Sequence, residues 1–130
     1  MGITHLQDSF NADLGPSGPV AVPLGETVAQ VSCAEVKRAD QVETGIWECT
    51  PGIWRRQITD QEFCHFITGK GSFTPDGGEE IHFKAGDAFL LPANSFGVWK
   101  IEETVRKSYV LIKSLTLNGS PSNFDVRFFW

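Results

Sequence analysis

The sequence predicts an all-β domain, an antiparallel barrel or sandwich built from short strands. Three observations carry this. Turn formers and aromatics are abundant: 13 Gly and 7 Pro in 130 residues, with 12% aromatics, which suits many short strands better than a helical bundle. No stretch holds apolar residues at i, i+3, i+4 and i+7 over three turns. From Thr44 onward, strand-like runs recur at intervals of roughly ten residues with turn signals between them. The length fits one domain with one core, and no internal repeat of solenoid length occurs.

The elements follow in order. Residues 1–26 read as a loosely attached N-terminal arm, because Leu14-Gly15-Pro16-Ser17-Gly18-Pro19 breaks either regular element. Residues 27–113 read as the barrel. Thr27–Ser32 is a short strand, and Cys33–Val42 is the best helical candidate. Thr44–Thr50 is a strand that stops at Pro51-Gly52. Ile53–Ile58 ends at Thr59-Asp60, and Glu62–Thr68 is closed by Gly69-Lys70-Gly71. Ser72–Thr74 leads to the hairpin signal Pro75-Asp76-Gly77-Gly78. Glu79–Lys84 alternates, with Ile81 and Phe83 on one face and Glu80, His82 and Lys84 on the other. Ala88–Leu91, Val98–Ile101 and Val105–Ile112 complete the series. Residues 114–130 form a C-terminal extension too apolar to stay solvated. Phe124, Val126 and Phe128 share a face if that stretch is extended, which predicts packing on the barrel or on a dimer partner.

Charge and cysteine usage exclude several classes. The formal net charge is −5 with a pI near 5.1, which opposes nucleic-acid binding, since that needs a basic face. No apolar run reaches the ~20 residues of a spanning helix. The first eight residues lack the basic start and apolar stretch of a signal peptide. Cys33, Cys49 and Cys64 offer neither C-x-x-C spacing nor an even set. A cytoplasmic protein with no membrane or nucleic-acid partner is expected. There is no phosphate-binding loop and no nucleophile elbow. Asp76-Gly77-Gly78-Glu79 lacks the repeated Asp spacing of a calcium loop and reads as a turn.

Two turns carry a more specific signal. EFCHFITG (62–69) has a Glu followed by a Gly seven residues on, and GDAFLLPAN (86–94) has the form G-x5-P-x-G with Asn94 in the last place. Asn tolerates a positive φ, so the turn is retained. Together with GIWECTPGIWRR (45–56), TPDGGE (74–79), AGDAFLLP (85–92), GVW (97–99) and VRKSYV (105–110), these segments resemble one small cupin family. It includes the cupin domain of ureidoglycine aminohydrolase and is similar to the ethanolamine-utilisation Q protein. The resemblance runs from about Thr44 to Ile112 and implies a jelly-roll cupin barrel. Metal-bearing cupins supply His-x-His, a Glu and a later His from inside the barrel. Carried over, the His pair falls on Arg56 and Ile58, or on Arg55 and Gln57, and the last His on Gly97. Only Glu62 remains, so no resident metal or other cofactor is expected. His5 lies in the arm, while His65 and His82 fall on outward faces.

The candidate site grows from Glu62. Alternation puts Glu62, Cys64 and Phe66 on one face, which by the resemblance lines the barrel. A carboxylate there must be paired, hydrogen-bonded or protonated. Arg56 and Lys107 are the candidate cations, and Lys107 shares its face with Val105, Tyr109 and Leu111. Trp47, Trp54 and Trp99 are either core or an aromatic wall around a ligand. Cys64 is either a small buried hydrophobe or a thiol activated by a neighbouring cation. The leading expectation is a barrel that binds a small polar or carboxylated metabolite at Trp47, Trp54, Arg56, Cys64, Trp99 and Tyr109. The alternatives are a small-metabolite enzyme, ureidoglycine aminohydrolase-like or related as the resemblance implies, with Glu62 as acid/base and Lys107 as catalytic partner, and a structural or accessory protein with a filled barrel. A homodimer through outward Phe63, His65 and Ile67, or through the tail, is the expected assembly.

Overall fold

The structure is a computed structural model and describes residues 2–39 and 41–113. Eight strands follow one another: β1 Gly18–Pro19, β2 Gln30–Arg38, β3 Val42–Cys49, β4 Gly52–Ile58, β5 Gln61–Pro75, β6 Ile81–Lys84, β7 Ala88–Leu91 and β8 Ser95–Ile112. All pairings are antiparallel. The sheet runs β1-β2-β3-β8-β5-β6, with β4 on β8 and β7 on β5. No helix of the described residues is long and apolar enough to cross a membrane.

The two long strands explain how one sheet makes a barrel. The C-terminal half of β8, Val105–Ile112, pairs with β3, and its N-terminal half, Ser95–Ile101, pairs with β4. β5 likewise pairs with β7 through Glu62–His65 and with β6 through Lys70–Phe73. Where β5 and β8 bend together, the register shifts between Phe66 and Gly71. These bulges change the parity of the inward face from Glu62, Cys64 and Phe66 to Phe73. The two halves of the sheet face each other, so Trp47 of β3 meets Trp54 of β4 and Trp99 of β8 at ring-centroid distances of 6.3 and 6.4 Å. Phe66 stacks on Phe83 at 4.0 Å and meets Phe89 edge-on at 5.2 Å.

Several expectations need correction. Cys33–Val42 is not helical: Gln30–Arg38 is one strand paired with β3, carrying a bulge between Glu35 and Lys37. Ladder pairing with β3 overrides the local spacing. Thr27–Ser32 is not a separate strand, because β2 begins only at Gln30. Glu62–Thr68 and Ser72–Thr74 are parts of β5, and Val98–Ile101 and Val105–Ile112 are parts of β8. The glycines at 69–71 mark a bend rather than a break. Ile81 and Phe83 part company: Phe83 is buried, whereas Ile81 at the strand end is exposed. The turn at Pro75–Gly78 forms as expected, with the Gly78 N–H donating to the Pro75 carbonyl at 3.0 Å and Gly77 at φ 75°. Asn94 adopts φ 57°.

The N-terminal segment is held more firmly than its turn-rich composition suggests. Gly15 N–H donates to Cys33 O, and Val20 N–H to Ala29 O, along the edge of β2. Leu24 N–H then donates to Ile53 O, while Val22 O accepts from Arg55 N–H, along the edge of β4. Two exposed strand edges are thereby covered. Arg106 adds bonds to the carbonyls of Ser9 and Ala12 at 3.0 and 2.9 Å. The expected packing of residues 114–130 lies outside the described residues.

Gly69 sits at φ 86°, and a Cβ there would lie 2.3 Å from the Thr104 carbonyl oxygen. Gly69→Ala is therefore expected to lower stability by about 1–3 kcal/mol, read as a lower urea midpoint with an unchanged m-value.

Candidate functional site

β4, β5 and β8 each deliver one charged side chain to the interior. On β4, alternation buries Gly52, Trp54, Arg56 and Ile58. On β5 it buries Glu62, Cys64 and Phe66 while Phe63 and His65 face out. On β8, Val105, Lys107, Tyr109 and Leu111 point inward. Arg56 and Glu62 come from strands joined by a short turn and meet directly, with Arg56 Nη2 donating to Glu62 Oε1 at 2.5 Å. Lys107 Nζ donates to the other oxygen, Oε2, at 2.7 Å. Glu62 and Lys107 are 0% exposed and Arg56 is 4% exposed. Both expected cations therefore converge on Glu62.

Desolvation, the largest single influence, pushes the Glu62 pKa up. Arg56 and Lys107 together outweigh it by charge and hydrogen bonding, so the net shift is downward and the carboxylate stays ionised. Lys107 Nζ also lies 4.3 Å from the Trp47 ring centroid and 5.2 Å from that of Trp99, within cation–π range. Trp54 completes a triad, 6.5 Å from Trp99. All three rings are fully buried. The Trp99 indole N–H has no hydrogen-bond partner among the described residues.

Two expected members behave differently. Cys64 lies on the inward face, but burial pushes its thiol up to about 11, ahead of the lowering effect of Lys107. Loss of hydration outweighs the neighbouring cations, which favours the small buried hydrophobe over the activated thiol. Tyr109 stands opposite Cys64 in the ladder, yet its hydroxyl leaves the Glu62 cluster. It lies 3.3 Å from Cys33 Sγ and 3.4 Å from Glu43 Oε2. The phenol leans over Gly45, where a Cβ would come within 2.8 Å of its oxygen. Burial, followed by Cys33 and Glu43, raises the Tyr109 pKa.

That second cluster was missed in the sequence. Glu43 is fully buried and pairs with Arg38 at 2.7 Å and Lys113 at 3.7 Å. The signal was present: Glu43, Gly45 and Trp47 share parity on β3, so a carboxylate on the Trp47 face must point inward.

Metal-bearing cupins hold an ion inside the barrel, and the residues present here do not fit one. No group of three His, Cys, Asp or Glu able to hold an ion occurs among the described residues. His5, His65 and His82 are all exposed. Both oxygens of Glu62 are engaged by cations. The Gly97 position is occupied in another way: a Cβ there would fall 2.2 Å from Phe73 Cζ. An aromatic ring fills the space a side chain at 97 would need.

The model of the EutQ-like cupin domain matches residues 36–109. The chain belongs to the EutQ-like cupin family. Three solved structures share the fold. A protein of unknown function of the DUF861 family from Pseudomonas syringae pv. tomato has a TM-score of 0.69 at 22% identity, covering 78% of this chain and 45% of its own. The Clostridium difficile EutQ protein has 0.60 at 15% identity, covering 74% and 71%. A putative ethanolamine utilization protein Q from Salmonella typhimurium has 0.57 at 19% identity, covering 63% and 68%. No curated protein matches this cupin.

Glu62→Gln leaves two buried cations without their counter-charge and is expected to lower stability by about 3–5 kcal/mol. The stability that the depressed Glu62 pKa contributes is present above the unfolded carboxylate value. It is lost as pH falls through the lower folded value. An acid titration of stability should therefore fall below about pH 4 in the wild type, and the variant should lack this component. Native-state thiol labelling near neutral pH is expected to modify half-buried Cys33 and spare buried Cys49 and Cys64, whose pKa values lie at about 12 and about 11.

Proposed function

We propose that this cupin is a metal-independent, non-catalytic binding module for a small carboxylated or polar metabolite. One observation carries the reading. Glu62 spends both oxygens on Arg56 and Lys107 and stays ionised. Such a group does not donate a proton near neutral pH, and the two cations held against it repel a metal ion. Burying three charges is no more stabilising than filling the same space with apolar side chains. Their presence beside an aromatic wall suits a polar occupant. Arg56 and Lys107 supply the donors for a ligand carboxylate, Trp47, Trp54 and Trp99 supply the apolar walls, and Trp99 offers a buried donor. A second reading, a filled barrel acting only as a scaffold, is favoured by the absence of exposure at Glu62, Lys107 and the three tryptophans.

We also propose that two copies pair through the outer sheet face. Leu90 is 63% exposed beside Phe63 at 46%, and Val42 faces Ile112 across the ladder with both exposed. His65 and Ile67 continue the face.

A thermal-shift screen against small carboxylates, ureides and amines, with and without divalent ions, tests the first proposal. A carboxylate is expected to raise the melting temperature by several degrees at roughly 100-fold excess over Kd, equivalent to about 2.7 kcal/mol. Chelator should change nothing, and Arg56→Met should abolish the response. A larger shift with a transition ion alone would sink metal independence, and silence across the panel would favour the scaffold. For pairing, sedimentation of a Phe63→Asp, Leu90→Asp double variant should report a monomer, whereas an unaltered dimer would place the contact elsewhere.

A further inference from the structure

The surroundings of Lys107 Nζ have a chemistry of their own. The nitrogen lies 2.7 Å from Glu62 Oε2, 4.3 Å from the Trp47 ring centroid and 5.2 Å from the Trp99 centroid. Trp54 braces both rings, with centroids 6.3 and 6.5 Å away. Every one of these side chains is fully buried. Two indole faces and a carboxylate around one desolvated nitrogen form the environment that recognises organic ammonium ions, because ring quadrupoles attract a cation that has shed its water. Arg56 holds the other carboxylate oxygen, so Oε2 is the oxygen left to face the cage.

We infer that the barrel contains an aromatic cage for a primary alkylammonium ion, with the Lys107 ammonium as its built-in occupant. The cage is one alkyl chain wide, since Lys107 threads it from β8 between Trp47 on β3 and Phe66 on β5, its ladder neighbours on either side. Shortening the side chain to Ala removes Cγ, Cδ, Cε and Nζ. n-Propylammonium replaces those four atoms one for one. The inference does not rest on the binding role proposed above: a metabolite screen on the wild type can be blank while the cage still takes an amine once Lys107 is withdrawn.

The test is thermal unfolding of Lys107→Ala with n-propylammonium chloride, against 1-propanol, tetramethylammonium chloride and NaCl. The variant should melt below the wild type. n-Propylammonium should raise its melting temperature saturably by several degrees and change its tryptophan fluorescence. 1-Propanol lacks the charge, tetramethylammonium is too wide, and NaCl reports ionic strength, so none should act alike. The occupied wild type and Lys107→Met, which retains an apolar stem, should not respond. An equal response to 1-propanol, or no saturable response from a folded Lys107→Ala, overturns the cage. Should Lys107→Ala fail to fold, the wild-type Lys107 ammonium resonance decides. Upfield-shifted ammonium protons protected from exchange, absent in Lys107→Met, support the cage. An unshifted, rapidly exchanging ammonium overturns it.

Discussion

A carboxylate held away from water needs partners that do not leave. Glu62 has two, Arg56 from β4 and Lys107 from β8, one on each oxygen. Several features of the barrel follow from satisfying that group. The bends in β5 and β8 bring β4 close to the C-terminal half of β8, although the two do not pair there. The tryptophan triad supplies polarisable faces beside the Lys107 ammonium where a wholly aliphatic wall would leave the charge worse solvated. The same arrangement sets two fixed cations where a metal would approach the carboxylate. Charge neutralisation, aromatic packing and the mismatch to an ion are one constraint seen from three sides.

Much of this was legible because strands alternate. The sequence EFCHF places Glu62 and Cys64 opposite Phe63 and His65 wherever the strand lies, and Lys107 and Tyr109 obey the same rule on β8. The cupin spacing then told inside from outside. What was not legible depends on events between strands. Whether Cys33–Arg38 extends as a strand is decided by a ladder with β3 that no local window contains. The continuity of β5 through Gly69 depends on bulges that let glycines bend a strand without ending it. Tyr109 shares the Lys107 face, yet its hydroxyl turns to Glu43 because Gly45 leaves room. That direction is set by a residue on another strand, and alternation alone does not encode it.

The comparison with EutQ and DUF861 structures separates fold from chemistry. At 15–22% identity the strand order survives, since it depends on alternating apolar faces and on turns that many residues satisfy. The interior chemistry depends on a handful of side chains, and one fold hosts many such sets. Arg56, Glu62, Lys107 and the tryptophans are this chain's own interior set, and the family supplies the frame around them.

The Phe73 ring lodged over Gly97 bears on how freely such a barrel exchanges one chemistry for another. Introducing an imidazole at 97 drives its Cβ into the aromatic ring, while shrinking Phe73 first opens a void in the core. Either order passes through a weakened intermediate, so a mutational route to a histidine-rich centre crosses a stability valley. The occupied space acts as a ratchet against an imidazole at 97.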